Sequence, residues 1–235
     1  IIYPMLAIPR LDLPFIGSFV IPRMIVLEPL HAVQAGDFGM SFQSWKIIRI
    51  DGKNIRSSTE WVDTVQRYQI GDSIQVALED QDGMVKEISI RLVRFPDQDR
   101  LLYLFFPIFV GIIYLISAVW VFFYRRHYAN GKAYILFACG MSIAMGGLFD
   151  FYFLHKLATL WLIAAAFAAA AMVTMAMTFP ERDELYRDKI LIRVIPYGVA
   201  VWLAGWVLLE FINSQNDFAY LRVWQYGILY CVVSL

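Results

Sequence analysis

The second half of the chain is a succession of long apolar runs, which constrain the fold more than any other sequence feature. A helix rises about 1.5 Å per residue, so roughly 20 apolar residues cross the hydrocarbon core of a bilayer. From residue 101 onward, five runs reach or approach that length: 101–124, 133–153, 157–179, 190–212 and 219–235. We therefore predict an α-helical transmembrane bundle over residues 101–235, continuing beyond residue 235.

The composition agrees with a protein that lies largely in lipid. Hydrophobic residues make up 60% of the chain and charged residues only 17%, as is typical of membrane proteins. The formal net charge of +0 gives no overall basic surface, so we predict the lipid bilayer, and not a nucleic acid, as a partner. Cys139 and Cys231 both lie inside apolar runs and are interpreted as small buried side chains.

Basic residues are concentrated in alternate loops between the runs. The loop "YRRHYANGK" contains Arg125, Arg126 and Lys132, and "PERDELYRDKILIR" contains four more Lys or Arg residues. The intervening loops "LHK" and "NSQNDF" contain one and none. Because short loops rich in Lys and Arg stay in the cytoplasm, the two basic loops are predicted to be cytoplasmic. Residues 30–95 are then extracytoplasmic.

Residues 30–95 have the pattern of a small α+β domain. "WKIIRI" is a strand followed by a turn at Asp51-Gly52, and "SSTEWVDTVQRY" is a helix near residues 58–67 with Ser and Thr as candidate caps. Strands at 73–78 and 85–92 alternate around a turn at Asp82-Gly83. Residues 1–29 are interpreted as the end of a preceding membrane helix and a linker.

The order "IxxIDGKxI", helix, "GDSIxV" and closing hairpin resembles a bacterial PDZ domain. Ile47, Ile50, Asp51, Gly52 and Ile55 stand at its core and turn positions. With the apolar runs and the "FPER" motif that follow, residues 28–200 resemble the membrane-anchored input regions of certain bacterial signalling proteins. The resemblance implies a multi-pass protein of the bacterial cytoplasmic (inner) membrane with a PDZ-like domain outside. In that group a cytoplasmic histidine kinase, GAF, cyclase or serine phosphatase module follows.

Two functions are consistent with this resemblance. The first is a sensory input region, in which the PDZ-like domain detects a ligand or docks a partner and the helices relay the change to a cytoplasmic effector. The alternative is a non-catalytic accessory or scaffold subunit of a larger membrane complex. Either function implies a homo-oligomer or a larger assembly, and the residues encoded after residue 235 discriminate between them.

A peptide or protein partner is expected where a PDZ-like domain adds a strand to its sheet edge, beside the helix. The resemblance points to the stretch "AGDFGMSF", which stands where bacterial PDZ domains have "GLxxGDxI". The candidate partner-binding residues are Gly36, Phe38, Gly39, Met40 and Phe42. Because this stretch departs from the usual entry, we expect the site to be narrowed or filled by the chain itself, with residues 27–42 as the candidate occupant.

Catalytic patterns are missing from the sequence. The three histidines, His31, His127 and His155, are not part of the HExxH pattern of a zinc protease, and neither a phosphate loop nor a pair of cysteines at metal spacing occurs. We predict no catalytic residue, metal site or cofactor in residues 1–235. Any enzymatic activity would belong to an effector module after residue 235.

One face of the second apolar run carries small residues. Ala138, Ser142 and Gly146 recur every fourth residue, a spacing that lets another helix backbone approach closely. We predict that they pack against a neighbouring helix, with the run 157–179 as the expected partner because only a short loop separates the two.

Overall fold

The chain divides into two compact units of different architecture. The computed structural model describes residues 12–21, 23–29, 44–155, 157–178, 190–212 and 217–233. One unit, the α/β unit, combines Ile1–Phe106 with Leu148–Ala158, and the other, the helical unit, combines Pro107–Gly147 with Thr159–Leu235. We call Leu148–Ala158 the connecting segment, because it joins two long helices in sequence while belonging to the α/β unit.

Short antiparallel strands dominate the α/β unit, so the mixed α and β character predicted for residues 30–95 is confirmed. The described part of residues 1–29, which was interpreted as a helix end and a linker, instead forms the first three strands of this unit. Its described elements are β1 (Pro14–Phe15), β2 (Ser18–Ile21), β3 (Ile25–Pro29), β4 (Lys46–Ile50), β5 (Lys53–Asn54), α1 (Ser58–Val65), β6 (Ser73–Glu79), β7 (Val85–Arg91), β8 (Val93–Arg94) and α2 (Asp97–Arg100). Two π-helical turns follow, Leu101–Phe105 and Asp150–Leu154. The main sheet has the order β2-β3-β4-β6-β7, with β5 on β4, and β1 pairs with β8. Among the described strands, β2 therefore lies at an edge of the main sheet.

The β6–β7 hairpin forms as its alternating pattern predicts. Ile74, Val76 and Leu78 of β6 are buried, and the two strands pair in register from Ser73 opposite Arg91 to Glu79 opposite Val85. In the turn, the Asp80 carboxylate accepts hydrogen bonds from the amides of Asp82, at 2.8 Å, and Met84, at 2.9 Å. Gly83 takes a φ of 82°, which costs glycine little. The predicted turn at Asp82-Gly83 is confirmed.

The turn at Asp51-Gly52 is also confirmed, and it ties three elements together. Both residues have positive φ, 45° and 79°, as tight hairpin turns with right-handed strand twist require. The Asp51 carboxylate accepts the Gln75 amide of β6 at 2.7 Å and the Tyr68 hydroxyl, which follows α1, at 2.6 Å. The Asp51 hydrogen bond raises the pKa of Tyr68, so the phenol stays protonated and remains a donor.

Helix α1 begins where its cap residues predict. The Ser57 side chain accepts the Glu60 amide at 3.2 Å, and the Glu60 carboxylate accepts the Arg56 amide at 3.1 Å, so orphan donors at the helix start are satisfied. On its inner face, Trp61 and Val65 are buried in the core of the sheet. Each such burial contributes about 2 kcal/mol, which holds the helix on the sheet.

Five long helices follow in the chain: α3 (Phe106–Arg125), α4 (Ala129–Gly146), α5 (Ala158–Thr178), α6 (Ile190–Ile212) and α7 (Asp217–Val233). Two stretches, Leu101–Arg125 and Ala158–Met177, are long and apolar enough to cross a membrane by length and composition, and Val194–Glu210 is a shorter apolar stretch. The helix predicted over residues 133–153 is wrong at its C-terminal end. Helix α4 ends at Gly146, where the Gly147 amide bonds the Ile143 carbonyl at 2.8 Å.

The backbone of α4 at Ser142 and Gly146 packs against α3, whereas α5 was expected as the partner of this face. Ala138 is fully buried. A Cβ added to Gly111 of α3 would lie 3.0 Å from the Ser142 carbonyl oxygen and 3.1 Å from the Gly146 nitrogen. Ser142 and Gly146 thus face α3. The contact between α4 and α5 is made instead by Gly140, where an added Cβ would lie 2.8 Å from the Ala164 carbonyl oxygen.

Gly140 and Gly205 provide a matched test of this packing. Gly140→Ala should lower the free energy of unfolding by about 1–3 kcal/mol, because backbone atoms of α5 must move. Gly205→Ala, where an added Cβ meets nothing within 4 Å, should raise it by about 0.5 kcal/mol through helix propensity. Thermal unfolding of both variants in detergent measures the difference. Equal effects of the two substitutions would contradict the packing.

Candidate functional site

The partner-binding residues predicted from the sequence lie outside the described residues. These are Gly36, Phe38, Gly39, Met40 and Phe42. The same holds for residues 30–42 of the expected occupant. The sheet edge where a partner was expected is nevertheless described, and so is the helix beside it.

A cleft lies between the edge strand β2 and helix α1. Ser18 and Val20 of β2 form one wall, and Trp61, Val62 and Val65 of α1 form the other. The residues that lie against these walls come from the connecting segment and are Tyr152, Phe153 and His155. A cavity of about 40 Å³ remains between the walls and these side chains. The edge beside the helix is thus occupied by a segment more than a hundred positions away in sequence.

Aromatic stacking holds the connecting segment in this position. Phe95, which is 1% exposed, contacts Phe149 and Phe153 with ring centroids 5.7 and 5.9 Å apart. Tyr152 stacks on Phe19 of β2 at 5.2 Å. We call the whole set the aromatic cluster, and its members are Phe15, Phe19, Phe95, Tyr103, Phe149, Tyr152 and Phe153. Such pairs contribute about 0.5–1.5 kcal/mol each beyond the area they bury.

His155 makes the polar contact to the edge strand. Its Nε2 lies 2.5 Å from the carbonyl oxygen of Val20. A carbonyl oxygen only accepts, so Nε2 carries the proton. Burial lowers the pKa of His155 from 6.5 to about 4, although the hydrogen bond to Val20 acts in the opposite direction. The ring is therefore neutral at pH 7, with the lone pair on Nδ1.

The occupant of the cleft is strained at the same residue. His155 has a φ of 57°, in the left-handed region that costs a residue with a Cβ about 1 kcal/mol or more. Within the described part of the chain its Nδ1 is buried without a hydrogen-bond partner, and such a group costs about 1–3 kcal/mol. The cost at Nδ1 is removed when the connecting segment leaves the cleft and the imidazole reaches solvent.

Asp150 fixes the shape of the connecting segment. Its backbone carbonyl accepts the His155 amide at 2.7 Å, which closes the π-helical turn. Its side-chain Oδ2 accepts the amide of Leu157 at 2.5 Å, immediately before α5 begins. The rings that enter the cleft and the start of α5 are therefore tied to one residue.

Ion pairs hold the stretch of chain that leads into α3. Asp12 accepts Arg94 at 2.8 Å and Arg100 at 3.4 Å, and the hydrogen bond from Arg94 lowers the pKa of Asp12. Arg100 immediately precedes the π-helical turn that leads into α3 and carries Tyr103, and Tyr103 meets Phe19 at 4.9 Å. The aromatic cluster thus includes residues next to the ends of α3, α4 and α5.

The lining of the cleft is largely apolar. Its described lining is apolar apart from Ser18, Gln66, Tyr152 and His155, and none of these carries a charge at neutral pH. Over the described ranges, no group of three His, Cys, Asp or Glu residues is placed to hold a metal ion. Sequence reasoning missed the connecting segment. Its dense aromatic sequence "FDFYF" was a usable signal, but it was assigned to a membrane span.

No protein-family model matches this chain, and its comparison with curated proteins gives no match. The chemistry of the cleft and its occupant are therefore the basis for a functional conclusion.

The lowered pKa of His155 predicts that the binding of the connecting segment in the cleft depends on pH. As the pH falls below about 6.5, the imidazole of His155 takes up a proton in the released segment but not in the segment that lies in the cleft. The free energy that holds the segment in the cleft therefore decreases between pH 6.5 and about pH 4, and it is constant above pH 6.5. Hydrogen exchange of β2 and connecting-segment amides should lose on the order of 3 kcal/mol of protection over that window.

His155→Asn is the control for this titration, because asparagine tolerates the left-handed conformation and does not ionise. Its pH profile should be flat across the same window. A profile with the parental slope would show that another group is responsible.

Proposed function

We propose that this chain is the membrane-embedded sensory input region of a bacterial signalling protein, with a PDZ-like α/β unit outside the cytoplasm. One observation carries the proposal: the connecting segment between α4 and α5 lies in the cleft beside the edge strand. In a PDZ-like domain this is the place where an extended peptide adds to the sheet. A partner that enters the cleft must displace a segment that is covalently continuous with two helices.

The surface of the long helices supports their placement in lipid. On α3, more than half of the side chain is exposed at Phe109, Ile116, Trp120 and Phe123, with values of 62%, 63%, 65% and 71%. A soluble protein rarely leaves so continuous an apolar surface in water. The same side chains are stable against acyl chains, so a bilayer is the environment that this helix fits.

Two arginines at the C-terminal end of α3 support the proposed orientation of the chain in the membrane. Arg125 lies over the ring of Tyr128, with 5.5 Å to the centroid, and Arg126 lies over Phe122 at 5.4 Å. Basic groups that pack on aromatic rings at the end of an apolar helix are typical of the membrane interface. With the basic loops in the cytoplasm, the α/β unit lies on the opposite side, where external ligands are found.

The orientation is tested with single cysteines in a Cys139→Ser/Cys231→Ser background. Met84→Cys, at a site that is 64% exposed in the α/β unit, should react with a membrane-impermeant thiol reagent in intact cells. Lys132→Cys, exposed at the start of α4, should react only after permeabilisation. Reaction of Lys132→Cys alone in intact cells would reverse the topology.

Transmission is tested by releasing the connecting segment and measuring the helices. Phe153→Asp places a charge among the aromatic rings, which is unfavourable by several kcal/mol, whereas Met84→Asp adds the same charge at an exposed turn. With spin labels at Lys132 of α4 and Met177 of α5, Phe153→Asp should shift the interlabel distance by on the order of 2 Å. Met84→Asp should leave it unchanged.

An unchanged distance in both variants would contradict the sensory role. A displaced segment would then have no effect on the helices, and an accessory subunit that only docks a partner would account for the same cleft.

A further inference from the structure

We infer that the connecting segment is a displaceable internal ligand of the cleft, and that the cleft takes in its place an extended, uncharged polypeptide bearing adjacent aromatic side chains. The inference deepens the proposed function and rests on it for its biological use. It names the competing segment, the chemistry of the partner and the state in which the partner binds.

The occupant of the cleft defines what the cleft recognises. Tyr152 lies on the ring of Phe19, and Phe153 lies 5.8 Å from the ring of Phe15. His155 donates a hydrogen bond to the Val20 carbonyl oxygen. The groups that occupy the cleft are thus two neighbouring aromatic rings and one hydrogen-bond donor that follows them in sequence.

A polypeptide can supply the same groups with less strain. A backbone N–H in an extended segment can donate to the Val20 carbonyl in the way that an added strand pairs with an edge strand. Its aromatic side chains can replace Tyr152 and Phe153. It would need neither the left-handed backbone of His155 nor a buried, unpartnered imidazole nitrogen.

Charge restricts the partner further. None of the described residues lining the cleft is charged at neutral pH, so a phosphate, a nucleotide or a peptide with an acidic or basic anchor would be desolvated without compensation. An aromatic, uncharged anchor segment remains the ligand that the walls formed by Val20, Trp61 and Val65 accept.

The remaining cavity indicates that the internal ligand fits imperfectly. About 40 Å³ is left between the cleft walls and the connecting segment, and close packing is normally tighter than this around buried rings. An imperfect, strained occupant holds the cleft closed in most molecules and still leaves a fraction open. The apparent affinity for an external peptide is then reduced by that fraction.

The test uses the full chain in detergent and a fluorescein-labelled peptide with the sequence FNFYFLH, which corresponds to residues 149–155 with the uncharged asparagine in place of Asp150. If about one molecule in ten is open, Phe153→Asp should bind the peptide on the order of tenfold more tightly than the parent. Met84→Asp should bind like the parent. A peptide with serine at the positions of Tyr152 and Phe153 should not bind any of them.

Cleft opening is measured separately, by the reaction of Val62→Cys with a soluble thiol reagent in the Cys139→Ser/Cys231→Ser background. The rate should rise at least about tenfold with Phe153→Asp, because the segment then spends most of its time outside the cleft. Parental rates in Phe153→Asp, with the β6–β7 amides still protected from exchange, would overturn the inference. Equal peptide affinity for Phe153→Asp and the parent would also overturn it.

If Phe153→Asp loses protection of the β6–β7 hairpin, Tyr152→Ser, which removes the ring that stacks on Phe19, decides by the same two measurements. An increase in both is expected, and no change in either would contradict the inference. Failure here is distinguishable from failure of the sensory role. Peptide binding without movement of the spin-labelled helices would support the internal ligand and contradict transmission. Helix movement without peptide binding would support transmission and contradict the internal ligand.

Discussion

Stacking around Phe95 is the interaction on which the rest of the α/β unit depends. Its ring is 1% exposed and meets Phe15 at 5.0 Å, Phe19 at 6.2 Å and two rings of the connecting segment. These contacts join the first strands, the exit from the sheet and the segment between α4 and α5. Without them, Leu148–Ala158 would keep only the contacts of Tyr152 with Phe19, of Phe153 with Phe15 and of His155 with Val20, and the cleft beside β2 would open more readily.

The balance of energies in the cleft is close, which explains how one arrangement can be both populated and displaceable. Tyr152 and Phe153 are half-buried, so each ring contributes about half of the roughly 1.5–3 kcal/mol of full burial, with a further increment for stacking. Against this stand the left-handed φ of His155 and its unpartnered Nδ1, which together cost about 2–4 kcal/mol. The surplus is a few kcal/mol, the range in which a competing ligand shifts a population.

Much of the local structure could be predicted because it is encoded within a few residues. The Asp51-Gly52 and Asp82-Gly83 turns, the Ser57 cap and the alternating strands all depend on neighbours in sequence, and the structure contains each of them. Long-range features could not be predicted in the same way. The run 133–153 was extended through "FDFYF" because apolarity does not distinguish a ring buried by lipid from one buried by protein, and here the rings of Phe149 and Phe153 pack on Phe95.

The same limit applies to the helix partners and to the cleft. The small residues Ser142 and Gly146 indicate that the backbone of another helix approaches α4 closely. Only the tertiary structure shows that this is the backbone of α3 at Gly111. Likewise, the edge of the sheet was expected to be filled by the chain, and the sequence around residues 27–42 was the natural candidate by proximity. His155 reaches Val20 across 135 positions, a separation at which sequence pattern carries no pairing information without related sequences.

The rigidity of the connecting segment determines what its displacement would do. A flexible loop between α4 and α5 would absorb the loss of its ring contacts and leave the helices unaffected. This segment is instead closed on itself, since Asp150 accepts the amides of both His155 and Leu157, and α5 begins at the next residue. Withdrawal of Tyr152 and Phe153 must therefore either break these two hydrogen bonds or carry the first turn of α5 along. Because the Leu157 amide is bound by a carboxylate and the His155 amide by a backbone carbonyl, and both bonds are costly to lose, movement of α5 is the less expensive response.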